Sequence, residues 1–310
     1  MAEDDQHGKK NVPHPNIIEL IMRDLQSITP KPMRNFQLIR AKDGIYVYRC
    51  TYGNIPAVVK YFEKEADRRE ILNYRILAQH NIPTIKTLAL GKAAFVMEDI
   101  SASDTWRLGA PEDFKDGDIA ESLARWYFTF HESGATVADS LYFEYDSLTE
   151  ENLSALAAKL PEAQDLFQFI LSRYEDFRQQ IYAPSFTLTY NDFYWSNFVV
   201  RKDKTAAMMF DYNLMGKGYR FSDFRNVCWP LSDEAKAAFV STYNQLYMHK
   251  HGYSRTEAEK TEERIENLAG PLFSLHVAFT EKENFPSWAQ TQKKEAVDGT
   301  LLAKAKQLLL

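Results

Sequence analysis

Cysteine is scarce in this chain of 310 residues, which contains only Cys50 and Cys228. Two cysteines so far apart in the sequence do not supply the closely spaced thiolates of a zinc site, and they do not favour a disulfide framework. We therefore predict a protein of a reducing compartment, with a cytoplasmic location.

Long apolar runs and blocks of a single charge are also missing. No stretch approaches the roughly 20 apolar residues of a membrane span, and the first ten residues, MAEDDQHGKK, lack the apolar core of a signal peptide. The 37 basic and 43 acidic side chains are scattered, giving a net charge of −6 without a basic surface for nucleic acid. We expect neither a membrane nor a nucleic-acid partner.

A phosphate-binding loop of the GxxxxGK[ST] type is absent too, which sets aside the P-loop nucleotide-binding proteins. The sequence contains no repeat of fixed period, so it does not predict a solenoid or a repeat scaffold. With 45% hydrophobic residues, the chain can bury one large core or two modest ones, and its length favours two.

Strand-like patterns are concentrated in the first third of the sequence. They predict five strands of one antiparallel sheet, at residues 35–41, 46–53, 56–62, 84–90 and 93–99. Helical spacing of apolar residues predicts two helices beside them, at residues 16–28 and 63–80.

Helical periodicity dominates after residue 112. It predicts six helices, at residues 113–133, 151–160, 162–182, 233–252, 255–282 and 293–310. A strand-rich beginning followed by a helical remainder predicts an α+β fold with two lobes. We place a nucleotide-binding lobe at residues 1–98 and a helical lobe at residues 99–310, joined by a connector at residues 98–104.

The segment from Thr189 to Asn226 carries residues that suit metal-assisted phosphate chemistry. Asp192 follows a short predicted strand, and Asn197 lies five residues further along. Two apolar runs joined by the charged turn RKDK predict a hairpin that returns Asp211 to Asn197. Because Mg²⁺ takes one or two hard oxygen ligands from protein, Asn197 and Asp211 are candidate metal ligands. Asp192 is the candidate that accepts the proton of an attacking hydroxyl.

Each of these residues alone has a simpler interpretation. Asp and Asn are common in turns, where they bond to backbone amides. The whole order, Asp, Asn, hairpin and Asp, favours the functional interpretation.

The same segment resembles the catalytic and metal-binding segments of the aminoglycoside phosphotransferase and choline kinase superfamily, relatives of protein kinases. The family pattern H-[GN]-D-x-x-x-x-N, followed by a strand and I-D-[FW], corresponds here to YNDFYWSN from Tyr190 and FDY from Phe210. Tyr190 replaces the usual His, and the Asn-Asp pair resembles the bacterial choline kinase-like branch. The resemblance implies a protein-kinase-like bilobal fold, ATP and Mg²⁺ as cofactors, and phosphoryl transfer to a small-molecule hydroxyl.

Further roles follow from the resemblance. Lys60, at the end of AVVK, would neutralise the ATP phosphates, and Glu70 would be the helix carboxylate that holds it. Gly44, in the first hairpin turn, would lie over the phosphates. Asp223 would cap a helix and brace the catalytic loop, and His131 matches a family position to which we assign no chemistry.

The backbone of the connector would hold the adenine. The residues concerned are Met97, Glu98 and Ile100, whose side chains are uninformative by themselves.

The acceptor is predicted from the aromatic residues of the catalytic loop. Tyr194 and Trp195 would face it, and the acidic stretch at residues 143–152 would line the mouth of the helical lobe. Aromatic faces with acidic groups suit a cationic amino alcohol or an aminoglycoside-like molecule. Simple core packing is the competing interpretation, because most aromatic residues of a chain are buried.

Two other classes of protein compete with the enzyme. Tyr190 and the glycine-poor first hairpin would suit a nucleotide-binding pseudokinase with a regulatory or structural role. A structural protein could have the fold without the nucleotide. The presence of Lys60, Asp192, Asn197 and Asp211 together favours the enzyme.

Overall fold

The computed structural model describes residues 15–137, 141–280 and 284–310. Within these ranges the chain divides into two compact units. The first unit contains residues 15–126 and Tyr194–Leu214, and the second contains the described parts of Tyr127–Phe193 and Met215–Leu310. The predicted division at residue 98 concerns functional lobes and stays a prediction.

A five-stranded antiparallel sheet forms most of the first unit, as predicted. Its strands follow the order β1-β2-β3-β5-β4. They are β1 (Met33–Lys42), β2 (Ile45–Tyr52), β3 (Ile55–Phe62), β4 (Thr87–Leu90) and β5 (Ala94–Glu98). Side chains of β3 alternate between two faces, so Ala57 and Val59 enter the apolar core while Val58 and Lys60 line a cavity.

Helix α1 (Pro15–Leu25) covers the core face of this sheet. Ile17, Ile21 and Leu25, spaced by four residues, pack into the same apolar cluster as Val59. The prediction that this helix continues to residue 28 was wrong by one turn, because residues 26–28 form a turn before Pro30.

The second helix of the first unit, α2 (Arg69–Gln79), follows a short 3₁₀ turn at Glu65–Arg68. The predicted helix at residues 63–80 therefore starts later than expected.

A smaller three-stranded sheet completes the first unit in the order β6-β8-β9. Its strands are β6 (Trp106–Leu108), β8 (Phe198–Arg201) and β9 (Ala207–Met209). β8 and β9 form the predicted hairpin.

The second unit is mainly helical. Its helices are α3 (Gly117–Gly134, of which residues 127–134 belong here), α4 (Glu150–Lys159), α5 (Gln164–Leu171), α6 (Tyr174–Tyr182), α7 (Arg220–Cys228), α8 (Asp233–His251), α9 (Thr256–Thr280), α10 (Gln290–Val297) and α11 (Thr300–Leu309). Two short strands, β7 (Thr187–Thr189) and β10 (Gly216–Gly218), pair beside them. The α+β fold class is confirmed.

Two predicted helices are interrupted. Residues 162–182 form α5 and α6 rather than one helix, and residues 293–310 are divided between α10 and α11. The second break lies at Gly299, whose φ of 87° is left-handed and cannot continue a helix. Residues 281 and 282, at the end of the predicted helix 255–282, lie outside the described residues.

Among the helices in the described ranges, none has both the length and the apolar composition needed to cross a bilayer. Cys50 and Cys228 are free thiols.

The carboxylate of Asp24 ties α1 to the turn before β5. It accepts hydrogen bonds from the backbone N–H groups of Lys92, Ala93 and Ala94 at 2.9–3.2 Å. Gly91 is required beside it, because a Cβ there would lie 2.1 Å from Oδ2 of Asp24.

We expect Asp24→Ala to lower the free energy of unfolding by about 1–3 kcal/mol, because backbone donors lose their acceptor. Urea unfolding measures this change. Glu19→Ala, at an exposed position of the same helix, should change the free energy by less than about 0.5 kcal/mol. Equal losses in the two variants would contradict the proposed anchoring role of Asp24.

Candidate active site

Lys60 lies at the centre of the candidate nucleotide site in the first unit. Its side chain is almost completely buried, and its Nζ is 2.6 Å from Oε2 of Glu70 and 2.7 Å from Oδ1 of Asp211. The three groups come from β3, from the first turn of α2 and from the end of the β8–β9 hairpin. The structure thus brings Asp211, 151 residues after Lys60, to Lys60 and Glu70, which are ten residues apart.

The charges of this cluster depend on one another. Burial alone would lower the pKa of Lys60, but the neighbouring Glu70 and Asp211 carboxylates outweigh burial and raise it. Burial raises the pKa of Glu70 to about 7, although Lys60 opposes this change. We conclude that Lys60 is charged, because both of its partners stabilise the ammonium form.

One face of α2 also holds the backbone that carries Asp211. Nδ2 of Asn73 donates to the carbonyl of Tyr212 at 2.7 Å, and the N–H of Asp211 donates to the hydroxyl of Tyr74 at 3.4 Å. Glu70, Asn73 and Tyr74 follow the three- and four-residue spacing of a helix face. The sequence did not indicate Tyr74, because a buried tyrosine in a helix resembles ordinary core packing.

The hairpin places the backbone of Asn197 next to that of Asp211. The N–H of Phe210 donates to the carbonyl of Asn197 at 2.9 Å, and Phe198 pairs with Met209. Oδ1 of Asn197 accepts a hydrogen bond from Ser196 at 3.1 Å. Asp211 has a left-handed φ of 62°, a conformation that Asp tolerates better than most residues.

A cavity of about 420 Å³ opens beside Lys60 within the first unit. Its size is typical of small-molecule sites. Of the predicted site residues in this unit, the following line it: Lys60, Glu70, Met97, Glu98, Ile100 and Asp211. Gly44 does not line it, although the neighbouring Asp43 and Ile45 do.

The connector is fixed by Asp99. Its carboxylate accepts from Nε of Arg49 at 2.6 Å and from the backbone N–H of Ser101 at 3.0 Å. The side chain of Glu98 is also engaged, since it accepts from the N–H of Lys86 at 2.9 Å. These bonds hold residues 98–101 in one conformation at the wall of the cavity.

Asp192 belongs to the second unit, where it lines a different cavity of about 500 Å³. The loop that carries it is held by Asp223. The carboxylate of Asp223 accepts from the N–H of Tyr190 at 3.0 Å and from the N–H of Asn191 at 3.2 Å. Asn191 has a left-handed φ of 66°, a conformation that Asn tolerates, and these hydrogen bonds fix the backbone at Tyr190 and Asn191.

The predicted role of Asp223 as a helix cap was wrong. The residue lies inside the first turn of α7, whose N-cap position is Tyr219. A carboxylate there can accept from the loop after β7, because its side chain points back toward the helix N-terminus.

His131 also supports Asp223. Its Nε2 is 3.1 Å from Oδ2 of Asp223, and its Nδ1 is 2.8 Å from the hydroxyl of Tyr243. Burial lowers the pKa of His131 to about 4, against the opposing influence of Asp223. The neutral ring therefore donates from Nε2 to the carboxylate and accepts at Nδ1 from Tyr243.

Tyr194 and Trp195 belong to the first unit, and their ring centroids lie 5.5 Å apart with the planes tilted by 40°. Tyr194 is half exposed, and neither residue lines the cavity beside Lys60. In the predicted acidic stretch, Phe143 and Tyr145 are buried in the apolar core of the second unit.

We expect the stability of the protein to fall as the pH decreases from 6.5 to 4, partly because of His131. The unfolded chain protonates this histidine near its ordinary pKa of 6.5, whereas the folded chain does not until about 4. Between pH 7.5 and pH 5, His131 should account for about 2 kcal/mol of the lost unfolding free energy.

Urea unfolding of His131→Gln at both pH values tests this expectation. The variant should be less stable at pH 7.5 but should lose less stability on acidification. His249→Gln, at an exposed position of α8, should keep the wild-type pH dependence. An unchanged pH dependence in His131→Gln would refute the assignment.

Solved structures with the same fold cover nearly the whole chain. An ethanolamine kinase of Plasmodium vivax has a TM-score of 0.56 at 14% identity, covering 94% of this chain and 88% of its own. A macrolide 2′-phosphotransferase of Brachybacterium faecium has a TM-score of 0.59 at 12% identity, covering 92% and 98%. A spectinomycin phosphotransferase in complex with ADP and spectinomycin has a TM-score of 0.52 at 12% identity, covering 96% and 98%. These likenesses confirm the predicted kinase-like fold.

No curated protein sequence matches the chain significantly. A family profile does match, over residues 43–258, and it describes the phosphotransferase enzyme family APH. The match includes Lys60, Glu70, Asp192, Asn197 and Asp211. The chain therefore belongs to the APH family of phosphotransferase enzymes, which confirms the predicted superfamily and the prediction of a small-molecule phosphotransferase.

Proposed function

We propose that this enzyme transfers the γ-phosphoryl group of ATP to a hydroxyl group of a small molecule. The observation that carries the proposal is the buried Lys60, held between Glu70 and Asp211 at the wall of a cavity. A lysine in that setting neutralises nucleotide phosphates in kinase-like enzymes. The ADP bound to the spectinomycin phosphotransferase supports a nucleotide in the same fold.

The cavity beside Lys60 suits an adenine ring as well as phosphates. Apolar side chains form much of its wall, among them Val47, Val58, Ile85 and Met97. They would pack against the faces of the base, while Lys60 marks the phosphate end.

The edge of the adenine would be recognised by the N–H of Ile100. Within the described part of the chain, the other N–H groups of residues 98–103 all donate to protein acceptors, and that of Ile100 does not. Ile100 lines the cavity, so its N–H is the donor that remains for a ligand.

Asn197 and Asp211 fit a magnesium ion. They offer an amide and a carboxylate oxygen from adjacent points of one hairpin, and the side chain of Asp211 is 32% exposed. Among the described residues no cluster of three or more His, Cys, Asp or Glu side chains could hold a metal. That agrees with Mg²⁺, which takes few protein ligands and would here neutralise charge on the phosphate oxygens.

Asp192 would act as the catalytic base. As the acceptor oxygen forms its bond to the γ-phosphorus, the bond from that phosphorus to the bridging oxygen of ADP breaks, and the hydroxyl proton passes to Asp192. The hydrogen bonds from Tyr190 and Asn191 to Asp223 support this role, because they hold the loop in place.

The pseudokinase alternative is less well supported. Tyr190, at the family's His position, is fully buried, and its backbone N–H bonds to Asp223. The loop is thus held without the histidine.

The predicted cationic acceptor, the use of Mg²⁺ and the cytoplasmic location stay predictions. The narrower likeness to the choline kinase branch also stays a prediction.

We expect Asp192→Asn to lower turnover by about 10²–10⁴-fold, because proton acceptance is lost, while nucleotide affinity is kept. Asp211→Asn should instead weaken Mg²⁺-dependent nucleotide binding. A coupled assay of ADP release and calorimetric titration with an ATP analogue measure the two effects. Asp203→Asn, in the exposed hairpin turn, should retain activity. Wild-type turnover by Asp192→Asn would exclude the proposed base.

We expect Ile100→Pro to weaken nucleotide binding by about five- to tenfold, since proline removes the N–H that would meet the adenine. Proline is tolerated at this first position of a short helix, and the preceding Asp99 is extended with ψ 104°. Ile100→Val, which keeps the N–H, should bind normally. Equal affinities of the Pro and Val variants would exclude the hydrogen bond.

A further inference from the structure

We propose that the acceptor is an uncharged, hydroxyl-rich molecule, such as a sugar or another polyol, bound in the cavity of the second unit. The inference rests on the proposed function, because it takes Asp192 as the base and this cavity as the place beside it. It departs from the cationic acceptor that the sequence predicts.

Four of the five charged side chains that line this cavity form ion pairs with one another, and Asp192 is the fifth. Nη1 of Arg225 lies 2.7 Å from Oε2 of Glu266, and Nζ of Lys304 lies 2.8 Å from Oε2 of Glu295. A cationic acceptor would have to displace one of these protein cations or remain near Asp192 alone.

Glu266 is especially unsuited to a cationic ligand. Its side chain is almost fully buried, and its Oε1 accepts from the hydroxyls of Tyr145 at 2.7 Å and Ser222 at 2.5 Å. The ion pair with Arg225 compensates the charge of this carboxylate, although its Oε2 forms no hydrogen bond, so a ligand ammonium gains little there.

Neutral polar groups, in contrast, remain available. Within the described residues, the side chains of Asn226, Asn267, Ser274 and Gln292 line the cavity without a protein hydrogen-bond partner. The Oε1 atom of Gln292 is buried and without a partner. Amides both donate and accept, as ligand hydroxyl groups do, so the free groups match a polyol.

The helix that forms one wall provides another acceptor. Pro271 lies inside α9 and has no N–H, so the carbonyl of Asn267 lacks its usual helical partner. A ligand hydroxyl can supply the missing donor.

Trp229 supplies an apolar surface at the edge of the same cavity. Its side chain is 88% exposed, which is unusual for the largest apolar ring. The flat indole suits the C–H face of a sugar ring, whose rim carries the hydroxyls.

The volume of the cavity, about 500 Å³, also favours a ring over a short chain. It lies within the range of sites for drug-sized ligands. A two-carbon amino alcohol would fill only part of it and would leave the free amides unpaired.

The experiment compares D-glucose, D-ribose and myo-inositol with D-glucosamine, ethanolamine and choline as acceptors, with ATP and Mg²⁺. Glucose and glucosamine form a matched pair that differs by one ammonium group. We expect turnover on an uncharged acceptor with a kcat/KM at least about tenfold above its cationic counterpart, since an unpaired ammonium is disfavoured. The acceptor KM should not depend on salt.

Variants then locate the acceptor. Gln292→Ala and Trp229→Ala should each raise the acceptor KM about fivefold, the factor that corresponds to one net hydrogen bond or ring contact, with little change in kcat. Gln290→Ala, on the same helix, and Trp288→Ala, a tryptophan 50% exposed, are matched controls outside the cavity and should leave KM unchanged.

Turnover on cationic acceptors alone, lost in Asp192→Asn, would overturn the inference and leave the proposed function intact. An acceptor KM unaffected by Gln292→Ala and Trp229→Ala would also overturn it, because the acceptor would then bind elsewhere. Absence of turnover on both classes would overturn the inference together with the proposed function.

Discussion

The buried ammonium group of Lys60 is the constraint on which the first unit depends. Removing such a charge from water is unfavourable unless carboxylates lie beside it, and Glu70 and Asp211 meet this need at 2.6 and 2.7 Å. Because the three groups come from a strand, a helix and a hairpin, all three elements must be placed correctly before the charge is compensated. The uncharged Asn73 and Tyr74 serve the same end, since they hold the backbone that presents Asp211.

In the second unit, the buried charge of Asp223 is a comparable constraint. Its carboxylate is buried, and it is compensated by two backbone N–H groups and by the neutral ring of His131 rather than by a cation. Because these donors are uncharged, no ion pair pulls the carboxylate away from the loop that carries Tyr190 and Asn191. The candidate base Asp192, next to Asn191, therefore depends on a chain of hydrogen bonds that begins at Tyr243 in α8.

Local patterns explain which features the sequence could predict. The period of two in β1–β5 and the turn RKDK were sufficient for the sheet and the hairpin, because strand pairing across a short turn is a local event. The break between α5 and α6 was missed, since the apolar spacing continues through it. The cap assigned to Asp223 was wrong, and Tyr74 was missed, because both roles depend on partners distant in the sequence. Charge pairing in the cavity of Asp192 was hidden for the same reason: the sequence shows acidic residues, but not that Arg225 and Lys304 neutralise two of them.

Helix α9 shows how a local weakness can shape a ligand site. Gly270 and Pro271 are both poor residues for a helix interior, yet they stand side by side at the wall of the cavity. A Cβ at position 270 would come within 2.5 Å of Nη1 of Arg225, so the guanidinium that pairs with Glu266 would have to shift. The proline, one residue later, leaves the carbonyl of Asn267 without a helical partner. Gly270 thus leaves room for the ion pair between Arg225 and Glu266, whose charges are then unavailable to a ligand. Pro271 leaves the carbonyl of Asn267 as a neutral acceptor. Both effects make the cavity more suitable for hydroxyl groups than for cations.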